Sequence, residues 1–407
     1  TVYMPLAILL ILLSVITIST FNKKKIDVCP KCNLIIIDID ALRQDVLDCA
    51  DLGINMFPSI CGFIRKGVYF SNNYSLSQLT LTSIMSTITS SYPADHGVDR
   101  ERGPSLSEKI ITIAEEFKKN GYSTYWVGPY GFWTLSKENG GLRGYDVLWN
   151  DVGDIGSWSG KLKRINLAAK QPFYIHFYST QLELPFLFSL QDADKIRKEK
   201  LCSESFPLTE QEFKLSLGEF LIVNIKNVFT PFAIEVNNEI FTIENKSLLK
   251  QRIIDFFYNQ PSGSSYIYDK WHTKLEIYRL LYANSKDSTV NCLKSLYEEK
   301  IKILDNSLSE FFSEFNKLYI STNTIIVLMS DRGIEFFEHG SLGHNNNPHD
   351  ELLSVPLAVY FPKVKPRIVS RQSQNIDIFP TISNLVGISL SHRNIKGESL
   401  NYFLKER

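Results

Sequence analysis

Several absences narrow the reading of this chain of 407 residues. It carries no net charge, with Lys plus Arg and Asp plus Glu at 44 each, so no global field favours nucleic acid or a strongly charged partner. Any electrostatic function is therefore local. Cysteine is scarce: six in a chain this long exclude a disulfide scaffold. Cys29 and Cys32 form a lone Cys-Pro-Lys-Cys, and a zinc site would need a second pair or a histidine, for which only Cys49 and Cys61 are near. A local disulfide or plain thiols is the expectation. The chain also lacks internal repeats and low-complexity tracts, which excludes repeat architectures.

One long apolar run is present. Residues 2–21 carry no charge, and as a helix rising about 1.5 Å per residue they would cross the roughly 30 Å hydrocarbon core of a bilayer. The expectation is an N-terminal transmembrane helix, with a secretory signal peptide as the alternative; either exports the rest. Lys23, Lys24 and Lys25 follow, and the positive-inside rule alone would keep that flank cytoplasmic. The chain starts at Thr1 rather than Met, so upstream sequence is expected. Residues 1–25 are read as a transmembrane anchor and basic flank, and 26–407 as the globular domain.

In that domain, Asn33–Ile39 (NLIIIDI) is a β-branched apolar run, the pattern of a strand buried on both faces in a parallel sheet. Residues 106–119 carry apolar side chains at helical spacing, with Gly121 where a C-terminal cap belongs. Strands are expected at 123–127, 173–178 and 324–329, and a long amphipathic helix from Leu293 places Leu296, Ile301, Leu304, Leu308, Phe311 and Phe315 on one stripe. Strands alternating with helices predict an α/β fold around a central, largely parallel sheet. Residues from about 187 to 290 break the rhythm and are read as an insertion.

Two carboxylates, Asp40 and Asp331, stand just past the ends of apolar strands, the edge of an open α/β sheet where ligands bind. Between them lies a hydroxyl-rich segment, SLSQLTLTSIMSTITSS, from Ser75 to Ser91, closed by Tyr92 and Pro93. Carboxylates and a hydroxyl at one edge can hold a hard divalent cation that polarises an ester oxygen. By themselves such residues are more often caps and salt-bridge partners.

The order of motifs adds to this. Asn33-Leu-Ile-Ile-Ile-Asp-Ile-Asp40-Ala-Leu-Arg43-Gln-Asp45 resembles the opening strand and metal-binding Asp of the sulfatase family, an apolar run followed by D-x-L-R-x-D. Thr80-Leu-Thr-Ser83 falls on that family's nucleophile motif, C/S/T-x-P-S-R, with Tyr92-Pro93 at the family's interval and His96-Gly97-Val98 beyond. Asn120-Gly-Tyr122, Leu142-Arg-Gly-Tyr145-Asp146, Ser330-Asp331-Arg332-Gly333, Glu338-His339-Gly340, Gly343-His344, Val355-Pro-Leu, Asp377-Ile-Phe-Pro380-Thr381 and Gly397-Glu-Ser-Leu resemble its later segments in order.

The resemblance implies a three-layer α/β fold like that of alkaline phosphatase. It also implies one divalent ion (Mg, Mn, Ca or Zn) held by Asp40, Asp331 and Thr80. Thr80 would be the nucleophile, His344 and His339 would stabilise the anion and leaving group, and Arg332 and Ser83 would bind substrate. The implied partner is a small-molecule, glycan or lipid-linked phosphate or sulfate ester, not nucleic acid. The implied location is the membrane, with the catalytic domain on the extracytoplasmic side.

Five positions stand against the pattern of true sulfatases. A threonine cannot become the formylglycine of true sulfatases, which points Thr80 toward phosphohydrolases and phosphotransferases. Thr82 replaces the motif's proline and Ile84 its arginine, and Glu183 stands where relatives often have histidine. Arg332 occupies the place of a metal-ligating His or Asn, and a guanidinium cannot ligate a cation and repels one nearby. The alternative to an enzyme is the same fold retained as a binding or scaffolding module.

Overall fold

The computed structural model describes residues 29–404 except 48, 50–55, 99–104, 132–133, 151–153, 169–171, 205, 210, 213–233, 237–238, 242–277, 279–285, 345–347, 363 and 391–393. The expected anchor at 2–21 and much of the expected insertion lie outside the described residues, and no described helix is long and apolar enough to cross a membrane.

Eight strands build one sheet: β1 (Asn33–Ile39), β2 (Val68–Phe70), β3 (Ser123–Val127), β4 (Val147–Trp149), β5 (Phe173–Ser179), β6 (Thr324–Met329), β7 (Leu357–Tyr360) and β8 (Arg367–Val369). Their order is β8-β2-β7-β6-β1-β5-β3-β4, and β7 alone runs against its neighbours. The central strands β1, β5 and β6 are buried along their whole length, as continuous apolar runs require.

Helices cover both faces. On one side Ile35, Ile37 and Ile39 of β1 meet α1 (Pro58–Ile64), α4 (Trp158–Ala168) and the long α5 (Lys286–Lys317). On the other, Leu34 and Ile36 meet α2 (Thr80–Thr89), α3 (Ile113–Lys119) and α6 (Ile378–Leu385). All six apolar residues of the expected stripe on α5 are buried. The helix expected over 106–119 starts only at Ile113. Thr112 accepts from the Glu115 amide (3.1 Å) while the Glu115 carboxylate accepts from the Thr112 amide (2.9 Å), a capping box that ends any upstream helical path. The six cysteines form three disulfides, Cys29–Cys32, Cys49–Cys61 and Cys202–Cys292, which removes the zinc reading.

Candidate active site

Strand period decides which carboxylates reach the site. Side chains alternate along β1, so Asp38 and Asp40 follow Leu34 and Ile36 to the face that carries α2. Parallel register sets Asp38 beside Tyr178 of β5 and Met329 of β6, so the chains leaving these strands emerge at one level. The Asp40 amide donates to the Ser179 carbonyl (2.9 Å), the Leu42 amide to Ser330 Oγ (3.1 Å), and Asn375 Nδ2 to the Ser330 carbonyl (2.9 Å). Asp40 and Asp331 are thereby held at the carboxyl edge of the sheet.

Thr80 opens α2, and its hydroxyl meets Arg332, which sets the start of the helix at the same edge. One turn on, buried Ser83 donates to the Asp331 carbonyl (2.5 Å) and lies 2.8 Å from Ser75 Oγ. These bonds fasten the helix start to the end of β6. Ser83 was expected to bind substrate; its hydroxyl is instead committed to this internal contact.

Arg332 is 1% exposed and lies at the centre of the group. Its Nε donates to Thr80 Oγ1 (2.9 Å) and its Nη1 to the Gly333 carbonyl (3.1 Å). Its Nη2 donates to the Glu183 carboxylate and lies 3.0 Å from Asp40 Oδ1. The other Asp40 oxygen accepts from the Tyr178 hydroxyl (2.8 Å). Burial would pull the Arg332 pKa down, but Asp40, then Glu183 and Asp331, outweigh it and hold it above the ordinary value. Burial raises Asp40 above the usual carboxylate range although Arg332 opposes the shift. Burial and then the charge of Asp40 push Asp331 well above that range, and neither Asp331 oxygen finds an N–H or O–H donor among the described residues.

The remaining expected residues divide. His344 borders the site, with Nε2 3.6 Å from Glu183 Oε1 and Nδ1 3.2 Å from the Gln78 carbonyl. His339 sits apart from the described contacts of Arg332; it pairs with Glu351 (3.2 Å) and stacks on His349 at 3.6 Å between ring centroids. Arg43 pairs with Asp45 (2.6 Å) and Glu338 (2.8 Å), and His96 with Ser86 (3.0 Å), all consistent with structural roles. Beneath the site, Asp38 meets His176 (3.3 Å), which meets Tyr174 (3.2 Å), which meets Tyr145 (3.1 Å). Sequence reasoning did not find Tyr178. Its signal, an alternate position on a strand beside β1, becomes readable only once the strand pairing is known.

The sulfatase family model matches residues 32–184 and 245–388, most of the chain. The chain belongs to the sulfatase family. Two curated relatives share short segments with this sulfatase-family chain. An endo-4-O-sulfatase of Bacteroides thetaiotaomicron is 26% identical over 23% of this chain and 18% of its own length, and a choline-sulfatase of Rhizobium meliloti is 28% identical over 26% and 20%. The match thus spans about a fifth of either relative. Among solved structures, a phosphonate monoester hydrolase of Agrobacterium radiobacter has a TM-score of 0.61 at 15% identity, covering 92% of this chain and 77% of that one. One from Silicibacter pomeroyi has 0.60 at 17%, over 92% and 76%, and a 2-O GAG sulfatase has 0.58 at 16%, over 92% and 74%. These likenesses show the fold, with its largely parallel sheet.

The divalent ion implied by the family resemblance does not fit the residues as arranged. Two of the three expected ligands, Asp40 and Thr80, already contact one guanidinium. Among the described residues no three His, Cys, Asp or Glu side chains are grouped to hold a metal. A divalent ion beside Arg332 would also have to compete with the guanidinium for the carboxylates it already pairs with.

Proposed function

We propose that this sulfatase-family protein hydrolyses or transfers the sulfate or phosphate group of an ester, with Thr80 as nucleophile. The observation that carries the reading is the convergence of Thr80, Asp40 and Asp331 at the carboxyl edge of the sheet, with Thr80 Oγ1 bonded to Arg332 at 2.9 Å. Thr80 Oγ1 would bond to phosphorus or sulfur as the ester oxygen departs. The proton leaving Thr80 would pass through the neighbouring carboxyl pair to the departing alcohol, and water or an acceptor alcohol would then release the group. His344, beside Glu183, lines the approach and is the candidate for contact with the leaving group. The activities of the similar proteins, sulfatase and phosphonate monoester hydrolase, support this substrate class. An anchor at 2–21 would keep the domain at an extracytoplasmic membrane face, within reach of glycan or lipid-linked esters.

A second reading is favoured by one feature: the Arg332 charge is answered by two carboxylates and so offers little net attraction to an anion. On that reading the fold serves as a binding module without turnover. A screen of sulfate, phosphate and phosphonate monoesters and sulfated saccharides separates the two. Turnover by the wild type that falls to background in Thr80→Ala is expected; no turnover on any member selects the binding module.

A further inference from the structure

We infer that Arg332 is the resident cation of this site and Glu183 its counter-charge, so that the site takes no divalent metal ion. The inference rests on the site assignment above and not on turnover. Asp40 Oδ2 accepts from Tyr178 (2.8 Å), Asp40 Oδ1 lies 3.0 Å from Arg332 Nη2 as an ion pair without a hydrogen bond, and Thr80 Oγ1 accepts from Arg332 Nε (2.9 Å). Of the expected ligands only Asp331 has both side-chain oxygens without an N–H or O–H donor among the described residues, and two carboxylates, one of them paired with Arg332, do not make a site for a hard cation that needs six or more oxygens. Glu183, reached from the loop after β5, adds a second carboxylate to the guanidinium, as a buried charge requires.

The backbone behind Arg332 has little room to move. The Gly333 amide donates to the Leu352 carbonyl (2.8 Å), and a Cβ on Gly333 would lie 1.9 Å from the Glu351 carbonyl oxygen. Release of Asp40 for a metal would therefore require the side chain itself to rotate away from four partners at once. The charge-assisted bond to Glu183 and the ion pair with Asp40 would both be lost.

The test uses the full chain in mild detergent, dialysed against calcium, magnesium, manganese or zinc salts, with metal content and thermal midpoint measured in each salt and in EDTA. The wild type is expected to hold far less than about one ion per chain and to melt at the same temperature in EDTA and in millimolar metal, since only an ion that binds the folded state shifts the midpoint. Arg332→Asn should gain about one ion and an ion-dependent rise in midpoint, both lost again in Arg332→Asn with Asp40→Asn. An equimolar ion in the wild type that Asp40→Asn removes overturns the inference, as does a folded Arg332→Asn that takes up no more metal than the wild type. If Arg332→Asn does not fold, the wild type and Asp40→Asn decide: a midpoint insensitive to metal in both supports it, and a metal-dependent rise lost in Asp40→Asn overturns it. Ester turnover is measured separately, so failure of the proposed reaction stays distinguishable from failure of this inference.

Discussion

Ser83 shows how a single hydroxyl sets the distance between a nucleophile helix and a strand end. It is buried, donates to the Asp331 carbonyl and touches Ser75. Ser83→Ala takes the Ser83 donor from that carbonyl, while the Ser75 hydroxyl keeps its bonds to Ser77, so a loss of about 1–3 kcal/mol in urea unfolding is expected, the cost of a buried acceptor losing its donor. Thr80 differs, since it is only partly buried and its hydroxyl accepts one bond from a guanidinium that has three other partners. Thr80→Ala is expected to remove turnover while changing stability by about 1 kcal/mol or less. An unfolding midpoint moved as far as that of Ser83→Ala would count against this division of roles. The residue types at positions 40, 80 and 331 were legible in the sequence; the partners of their side chains were not.

Among the elements, α5 carries the clearest pH signature. Lys300 donates to the Leu187 carbonyl and lies 4.4 Å from the centroid of the Phe188 ring. Burial pulls its pKa down to about 8, against an ordinary value of 10.5. Between those values the unfolded chain binds the proton that the folded chain releases, so this group adds stability as pH rises from about 8 to about 10.5 and costs stability below about 8. Lys300→Met is expected to gain less than about 1 kcal/mol at pH 7, after discounting for partial exposure, the aromatic contact and the lost bond to the Leu187 carbonyl, and to lose its advantage near pH 10. Thermal midpoints of both proteins at pH 7 and near pH 10 check the sign. On α3, Thr112→Ala should cost about 1 kcal/mol through loss of the cap, with the helix start fraying in amide exchange. The stripe on α5 was readable because six apolar residues repeat at helical spacing. The start of α3 was misread because helical spacing at 106–112 says nothing of the Thr112 cap that competes with it.

For the molecule as a whole, three layers of secondary structure bury one core on each face of the sheet and bring the site residues together at its carboxyl edge. The uncharged run at 2–21 motivates the last expectation: the full chain should sediment with membranes and require detergent, and deletion of 1–25 should release it. A deleted chain that still sediments with membranes would remove the anchor from the proposal. The sequence alone determined the buried strands, because continuous β-branched runs have few other stable placements, and with them the positions of Asp40 and Asp331 at strand ends. It also placed Thr80 and Arg332 in the family's motifs. Only the tertiary structure decided that Arg332 answers Asp40 and Glu183 while bonding to Thr80, residues 292, 149 and 252 positions away in the chain. A buried charge takes its partners from whichever loops the strand order brings to one edge, and that order depends on the crossovers of the whole sheet.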